Sequence, residues 1–233
     1  MIKLINSEGE QRILPSTIFF KRVPFDLNVP FQHLPGRDGA IITGTPTIQP
    51  RLFTLEGRIY HQGDKEKVKR EADSLLVFLM AVPIEVHLGD RFLVSYPQGM
   101  PQQWIDEGIE LELQIPMLAA DPYFYGELVE LTLEGAEIIV VSGNARAIPF
   151  IKTENSAADF TMTNNRTNQE VRITGASGII EIDNFNHRVK VEGVDRLDLA
   201  NDEWLISGFS LLPGENLVSV NAKAKLSFRP RWL

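Results

Sequence analysis

The sequence predicts a mainly β protein, with an α+β N-terminal domain followed by an all-β C-terminal domain. Most of the chain alternates apolar and polar residues between turn-forming residues, which is the period of strands. One long segment in the first half has a helical period, and the second half shows no helical pattern after Glu127. We place the domain boundary at 126/127, because the aromatic-rich segment Asp121–Gly126 separates the two patterns.

Four segments of the first half predict strands, in this order along the chain. Residues 53–59 alternate apolar and other residues before a glycine, Gly57, which predicts a strand with one buried face. Residues 84–88 and 91–96 flank Gly89-Asp90, which predicts a hairpin. Residues 109–115 show the clearest alternation, with apolar side chains on one face and charged ones on the other.

One amphipathic helix is expected at residues 64–81. Asp64 is a suitable N-cap, and Pro83 stops the helix. Glu66 and Arg70 are four residues apart and are expected to form an ion pair on the solvent-exposed face of the helix. The apolar residues recur at spacings of three and four, so they form one stripe, which we expect to pack on the flanking sheet. That stripe contains Val68, Ala72, Leu75, Leu76 and Leu79.

The first 50 residues are the least regular part of the chain. Prolines break them into short apolar pieces, which predict loops and edge strands lying along another surface. Such an arm has limited use in a monomer, whereas an oligomer can pack it on a neighbour. These prolines include Pro24, Pro30, Pro35, Pro46 and Pro50.

Short strand-like runs fill the second half, separated by Asn, Gly, Asp and Ser. Regular short strands of this kind predict a β-sandwich or a jelly roll. The runs are 128–133, 137–141, 147–151, 159–163, 170–174, 178–182, 187–191 and 223–229.

Composition excludes several classes of protein and site. The chain has no cysteine, so it has no disulfide, thiol nucleophile or cysteine-based zinc site. The net charge of −8 disfavours broad binding of nucleic acid or anionic membranes. No segment has the roughly 18 consecutive apolar residues of a membrane helix, and the start does not resemble a signal peptide.

The search for catalytic or ligand-binding residues indicates no enzyme and no cofactor. None of the four histidines has a second histidine at metal-ligand spacing, and no P-loop, nucleophile elbow or dinucleotide fingerprint is present. Glu110 and Glu112 are expected on a solvated strand face, although a dispersed glycosidase pair remains an alternative. Trp104 lies in a loop-like segment, where it either completes the core or anchors a partner or sugar.

A second acidic feature lies near the end of the chain. Asp195, Asp198, Asp202 and Glu203 form a loop-like stretch that lacks the glycine and spacing of an EF-hand loop. We therefore expect a solvated loop there, with calcium binding as the alternative.

Five segments, taken in order, resemble the siphophage distal tail proteins, also described as phage tail components. The resemblance covers nearly the whole chain. Its two most specific pieces are an Asp-Pro-Tyr-x-Tyr-Gly motif at the midpoint and a Phe-x-Leu-x-Pro-Gly-Glu-Asn motif near the end. The segments are 51–59, 121–126, 143–149, 178–183 and 204–216.

The two motifs can also be explained as structural elements that have no catalytic role. A proline followed by a glycine favours a tight turn, here between expected strands at 209–212 and 217–220. An Asp-Pro pair favours extended backbone before the proline, and the aromatic residues that follow suit a packed connection. The residues expected to be architectural are Asp121, Pro122, Tyr123, Tyr125, Gly126, Pro213, Gly214 and Asn216.

The resemblance implies a fold and an assembly. It implies a tail-tube-like split β-barrel with one long helix and a belt arm, followed by a β-sandwich similar to galectins or carbohydrate-binding modules. It implies six copies in a ring at the tail tip of the virion, made in the host cytoplasm, with back-to-back rings as a further form. The ring would join the tail tube protein to tail-tip and receptor-binding proteins. DNA would pass through its acidic channel without specific binding, and no membrane is involved.

The contacts between copies are expected in residues 13–50 and in the hairpin at 84–96. Phe25 and Phe31 are the candidate contact residues of the arm, and Trp104 is the third. The alternative function is a carbohydrate-binding module for cell-surface attachment. We disfavour it because most aromatic residues of the second half lie in apolar strand patterns, which indicates core and not a sugar platform.

Overall fold

The computed structural model describes the chain except residues 23–26, 34–39, 44–46, 62, 100–101, 106–109 and 156–158. The chain divides into two compact units, Met1–Phe124 and Tyr125–Leu233. Strands dominate both units, so the mainly β prediction is confirmed.

The first unit contains twelve described strands and one helix, α1 (Lys65–Met80). The strands are β1 (Ile2–Ile5), β2 (Gln11–Ile13), β3 (Ile18–Arg22), β4 (Leu27–Asn28), β5 (Phe31–His33), β6 (Ala40–Ile42), β7 (Thr47–Ile48), β8 (Arg51–Tyr60), β9 (Ile84–Leu88), β10 (Arg91–Pro97), β11 (Gln102–Ile105) and β12 (Glu110–Ala119). A further strand, β13 (Phe124–Tyr125), lies where the two units divide.

The main sheet of the first unit follows the order β2-β1-β9-β10-β12-β8-β3, and β11 pairs with β12. Its longest contact is the antiparallel pair β8–β12, whose register runs from Arg51 opposite Ala119 to Tyr60 opposite Glu110. Alternate residues of both strands are buried, as the alternating sequence predicts. The predicted hairpin is β9–β10, with Leu88 opposite Arg91.

Helix α1 covers the buried face of β8 and β12. Asp64 caps it, because its carboxylate accepts a hydrogen bond from the Lys67 backbone N–H at 2.9 Å. The predicted stripe is correct except at Leu76, which is 42% exposed, whereas Phe78 is buried in its place. The expected Glu66–Arg70 carboxylate pair is wrong, since Arg70 donates to the Glu66 backbone oxygen.

The proline-rich segment contains a small antiparallel arm. Strand β4 pairs with β7, and β5 pairs with β6, so the two pairs are nested within residues 27–48. The Thr43 N–H donates to the Pro30 oxygen at 2.9 Å between the two pairs. Among the described strands, these four pair only with one another and stand apart from the main sheet. We call residues 27–48 the arm.

The second unit contains eight strands of one sheet and two short helical segments. The strands are β14 (Val129–Val141), β15 (Phe150–Asn155), β16 (Asp159–Asn164), β17 (Gln169–Thr174), β18 (Gly178–Asp183), β19 (Arg188–Val191), β20 (Val194–Asp195) and β21 (Gly214–Phe228), and β22 (Arg231–Trp232) follows near the end. The helical segments are a 3-10 turn at Leu197–Leu199 and α2 (Asp202–Ser207).

Two long strands give the second unit its two layers. One half of β21 pairs with β16, and the other half pairs with β15, while β14 pairs along nearly all of β21. The register of β14 shifts between Leu133 and Gly135, which marks a bulge near the point where the layers diverge. A strand that passes from one layer to the other through a bulge is typical of some β-sandwiches.

One apolar cluster fills the space between these layers. It includes Phe160 from β16, Ile182 from β18, Leu226 from β21 and Trp204 from α2. Helix α2, which carries Trp204, corrects the prediction, because no helix was expected after Glu127. Two expected strand pairs also differ: 128–133 and 137–141 form the single strand β14, and 209–212 makes only an isolated bridge at Leu211.

Candidate functional site

Two of the three predicted contact residues lie in described strands. Phe25 lies outside the described residues. Phe31 lies in β5, opposite Ile42. Trp104 lies in β11, opposite Leu111, so the expectation of a loop is wrong at this position. The backbone pairing explains the error: Gln102–Ile105 pairs with β12 as an additional strand, although only four residues take part.

The midpoint motif makes local contacts within each unit. In the first unit, the Asp121 carboxylate accepts a hydrogen bond from the Tyr123 N–H at 3.2 Å, and Pro122 is buried. In the second unit, the Gly126 N–H donates to the Pro230 oxygen at 2.9 Å. A Cβ at Gly126 would lie 2.8 Å from the Trp232 ring, so the indole requires a glycine there.

The second motif forms a turn that is closed by its last residue. Gly214 has φ = +87°, a conformation that glycine adopts without strain. The Asn216 side chain accepts from the Leu212 N–H at 2.9 Å and donates to the Leu212 oxygen at 2.7 Å. Asn216 is fully buried, so its amide replaces backbone pairing inside the domain. Pro213 contributes its oxygen to Arg166, which donates at 2.8 Å.

In the structure, the acidic residues at 195–203 form two separate ion pairs and the first turn of a helix. Asp195 holds Arg188 through two hydrogen bonds of 2.6 Å, and this bond to the guanidinium lowers the pKa of Asp195. Asp198 is held by Arg196 in the same way, which lowers the pKa of Asp198. Asp202 and Glu203 lie in the first turn of α2, where the helix dipole favours carboxylates.

The part of the chain that the structure describes brings together no group of three metal-binding side chains. It also has no helix long and apolar enough to cross a membrane. His87 lies beside Glu85 at 2.9 Å and stacks on Phe92, so it has structural partners within the sheet.

A cleft of about 360 Å³ lies on the second unit. The sequence placed most aromatic residues of this half in the core, which is correct for Phe160, Trp204 and Phe209. Two rings of this half are not in the core: Phe150 is 37% exposed, Phe185 is 58% exposed, and both line this cleft. The remaining lining residues are Tyr125, Leu128, Ile148, Pro149, Asp183, Asn186, Ser227, Phe228, Arg229 and Arg231.

The cleft wall that bears Phe185 is held in place by hydrogen bonds. The Asp183 carboxylate accepts from the backbone N–H groups of Phe185 and Asn186, both at 3.0 Å. It also accepts from the Asn186 side chain at 2.7 Å. These bonds fix the turn between β18 and β19, so the exposed ring of Phe185 has a defined position before anything binds.

The charge on the cleft differs from that of the chain. Two guanidinium groups, of Arg229 and Arg231, line it with one carboxylate, of Asp183. The chain as a whole carries a net charge of −8. Arg231 lies 5.5 Å from the Tyr125 ring centroid, and Arg229 donates to the Gly126 oxygen at 2.9 Å. Both arginines therefore contact other groups of the protein, beside the exposed rings of Phe150 and Phe185.

Comparison with known proteins identifies relatives of this architecture. Residues 142–232 match the family model described as "Siphovirus-type tail component, C-terminal domain". The chain matches no curated protein sequence. Among solved structures, it is similar to the Dit protein of phage SPP1, described as a paradigm of the hub adsorption apparatus in phages that infect Gram-positive bacteria. That match has a TM-score of 0.76 and 15% identity, and it covers 100% of each chain.

A second similarity is to a chain of the phage p2 baseplate in its activated conformation with calcium. The TM-score is 0.53 at 8% identity, covering 98% of this chain and 97% of the other. The resemblance to siphophage distal tail proteins is therefore confirmed, by the family model over the C-terminal domain and by the fold over the whole chain.

Proposed function

We propose that this protein is a structural subunit of a siphophage-type tail, and that copies of it close into a ring at the tail tip. The family match to a tail component supports the structural role. The similarity to a hub protein and to a baseplate chain supports a position where the tube meets the tip. In this proposal the ring has six copies, joins the tail tube protein to tail-tip and receptor-binding proteins, and lets DNA pass.

The observation that carries self-association is the arm. Its four short strands pair with one another and leave the apolar side chain of Leu27 52% exposed. A two-stranded hairpin is marginally stable alone in water, and it gains stability when another surface covers it. A neighbouring copy in a ring offers such a surface to every arm. We therefore propose the arm, which contains Phe31, together with Phe25 just before it in the sequence, as the belt between copies.

The two ends of the main sheet support the same proposal. Strand β2 has β1 as its one sheet neighbour among the described strands, and β3 likewise has β8. Edge strands present unpaired backbone groups, and here Ile13 and Phe19 add exposed apolar side chains beside them. If one edge of each copy meets the opposite edge of the next, repeated rotation closes a ring.

The hairpin at 84–96 fits a smaller role than the sequence suggested. Its strands, β9 and β10, have sheet neighbours on both sides. Both backbone edges of β9 are therefore occupied, whereas among the described residues β10 pairs with β12 only at Tyr96 and Pro97. We propose the arm and the two edge strands as the principal contacts.

Arm variants test the proposal. Leu27→Asp combined with Phe31→Asp should leave the protein folded, with the far-UV circular dichroism of wild type, and should lower its sedimentation to that of a monomer. The control is Ile206→Asp, which changes an apolar residue of α2 that is 86% exposed and should leave assembly intact. Wild-type assembly by the arm variant would show that the arm is not the contact.

A further inference from the structure

We propose that the outer edge of β14 receives an extended segment of another protein, in which apolar residues alternate with Lys or Arg. The segment would continue the sheet of the second unit as one more strand. The inference rests on the proposed function only in placing that partner in a tail assembly. Strand β14 belongs to the second unit, whereas the proposed contacts between copies lie in the first.

Strand β14 leaves one backbone edge open over several residues. Among the described strands, it pairs with β21 alone. Its register shifts between Leu133 and Gly135, and beyond that shift each residue from Ala136 to Val141 has one partner in β21. Alternate residues of an antiparallel strand direct their N–H and C=O groups away from the partner strand. We call these outward groups of residues 136–141 the open edge, and they are a template for one further strand.

The other two edges of the same sheet are covered or short. At β17, the Asn201 N–H donates to the Arg172 oxygen at 3.0 Å, and the Arg172 N–H donates to the Asn201 side-chain oxygen at 2.9 Å. The Asn201 amide nitrogen also donates to the Glu170 oxygen at 3.3 Å. At β20, the edge consists of two residues, Val194 and Asp195. Covering and shortening keep an edge from pairing with another chain, and the described part of the structure provides neither at residues 136–141.

Exposed apolar side chains lie beside the open edge. Ile138 is 65% exposed and Val140 is 69% exposed, and both lie on one face of the strand because they are two residues apart. Leu217 of β21 is directly opposite Ile138 and is 42% exposed. A strand added at this edge would place alternate side chains against Ile138 and Val140 and remove them from water. The apolar residues of the proposed segment follow from this contact.

Charge determines the remaining residues of the segment. Residues 127–141 contain four glutamates and no Lys or Arg. All four side chains are exposed, and none forms an ion pair with another described residue. The Glu137 carboxylate accepts a hydrogen bond from the Glu134 N–H at 2.9 Å, which leaves its negative charge without a cation. The other two are Glu127 and Glu130.

These glutamates select a basic partner. A Lys or Arg side chain on an added strand gains favourable cross-strand pairs with them, whereas like charges on neighbouring strands destabilise the pairing. Pairing between the β14 strands of two copies would bring four more carboxylates to the same edge. We therefore assign the open edge to a basic segment of a different protein.

Hydrogen exchange of the full-length protein in the presence of peptides tests the proposal. The probe is acetyl-Ile-Lys-Val-Lys-Val-Lys-amide. One control peptide has Glu in place of each Lys, and the other is the Lys peptide methylated at every backbone nitrogen, which keeps the charge but cannot pair as a strand. We expect the Lys peptide at saturation to slow amide exchange in residues 136–141 about tenfold, and both controls to leave it unchanged.

A pair of variants locates the binding on β14. Ile138→Thr keeps a β-branched residue but removes apolar contact, so it should weaken binding of the Lys peptide about threefold. Val194→Thr makes the same kind of change at a 61% exposed residue of β20 and should bind the Lys peptide as wild type does. Equal affinities of the two variants would place the peptide elsewhere and overturn the assignment.

Four further results would also overturn the inference. The Lys peptide leaves exchange in residues 136–141 unchanged at its solubility limit, or the methylated peptide slows it equally, or the Glu peptide slows it equally. The fourth is exchange that slows as the protein concentration rises without any peptide, which would assign the open edge to a second copy. Because ring formation is measured by sedimentation of the arm variants, its failure does not alter these outcomes.

Discussion

The indole N–H of Trp204 donates to the side-chain oxygen of Asn184 at 2.6 Å, and both residues are buried. Trp204 comes from the short helix α2, and Asn184 from the turn between β18 and β19. Through its amide nitrogen, Asn184 also holds the Pro149 oxygen. A single buried amide thus connects three segments that are distant in sequence, including both walls of the aromatic cleft.

Removing that amide should destabilise the second unit. Asn184→Ala leaves the Trp204 N–H and the Pro149 oxygen buried without this partner, so we expect a loss of about 2–4 kcal/mol in the free energy of unfolding. Urea denaturation followed by Trp fluorescence measures it. The control is Asn186→Ala, an exposed residue in the same turn, which should cost less than about 1 kcal/mol. Equal losses of unfolding free energy in the two variants would show that the buried hydrogen bonds of Asn184 stabilise the domain no more than the exposed one of Asn186.

The turn motif offers a second test. Asn216→Ala removes the acceptor for the Leu212 N–H and the donor to the Leu212 oxygen inside the domain. We expect a loss of about 2–3 kcal/mol, measured by urea denaturation. Glu215→Ala changes its exposed neighbour and should stay within about 0.5 kcal/mol of wild type. If both variants unfold at the wild-type urea concentration, the motif has another role.

Gly57 tests the edge strand β3. A Cβ at this position would lie 2.6 Å from the Ile18 Cα and would also contact the Thr17 oxygen, both of them backbone atoms. Gly57→Ala should therefore push β3 away from β8, with a loss of about 2–3 kcal/mol and faster amide exchange in Ile18–Arg22. Thr54→Ala, on the same strand, should leave that exchange slow. Slow exchange in the Gly57 variant would contradict this contact.

The Arg188–Asp195 pair predicts a pH dependence. The hydrogen bond from Arg188 holds the Asp195 pKa below its ordinary value of 3.8. Because the folded pKa is the lower one, the pair stabilises the fold above the ordinary value, and this is lost as pH falls through the folded pKa. A ¹³C titration should show the Asp195 pKa rising in Arg188→Gln. Lys190→Gln, whose effect on Asp195 is smaller, should raise it less. An unchanged titration in Arg188→Gln would refute the assignment.

The sequence predicts those elements whose apolar residues recur at a regular spacing over many residues. Alternation identifies β8, β9, β10 and β12, and spacing identifies α1 with its cap at Asp64. Helix α2 has six residues, fewer than two turns, so no period exists to recognise it. Leu76 fits the spacing of the stripe but lies at its border, where packing decides burial and selects Phe78 instead.

The sequence does not predict the cleft, for a similar reason. Phe150 begins β15 and belongs to an apolar run, and that run does not show which face remains uncovered. Phe185 lies in the turn between β18 and β19, and a single ring in a turn does not show which other side chains lie beside it. Bringing the two rings to one cleft requires the pairing of β15 with β18, which links residues about thirty positions apart.

Sedimentation velocity with negative-stain microscopy of the purified wild-type chain tests the central claim most directly. We expect a closed symmetric ring of about six copies, with a sedimentation coefficient that the arm variant Leu27→Asp with Phe31→Asp reduces to that of one 26.2 kDa subunit. A wild-type protein that stays a 26.2 kDa monomer at high concentration, with no ring in the micrographs, would contradict self-assembly as its function.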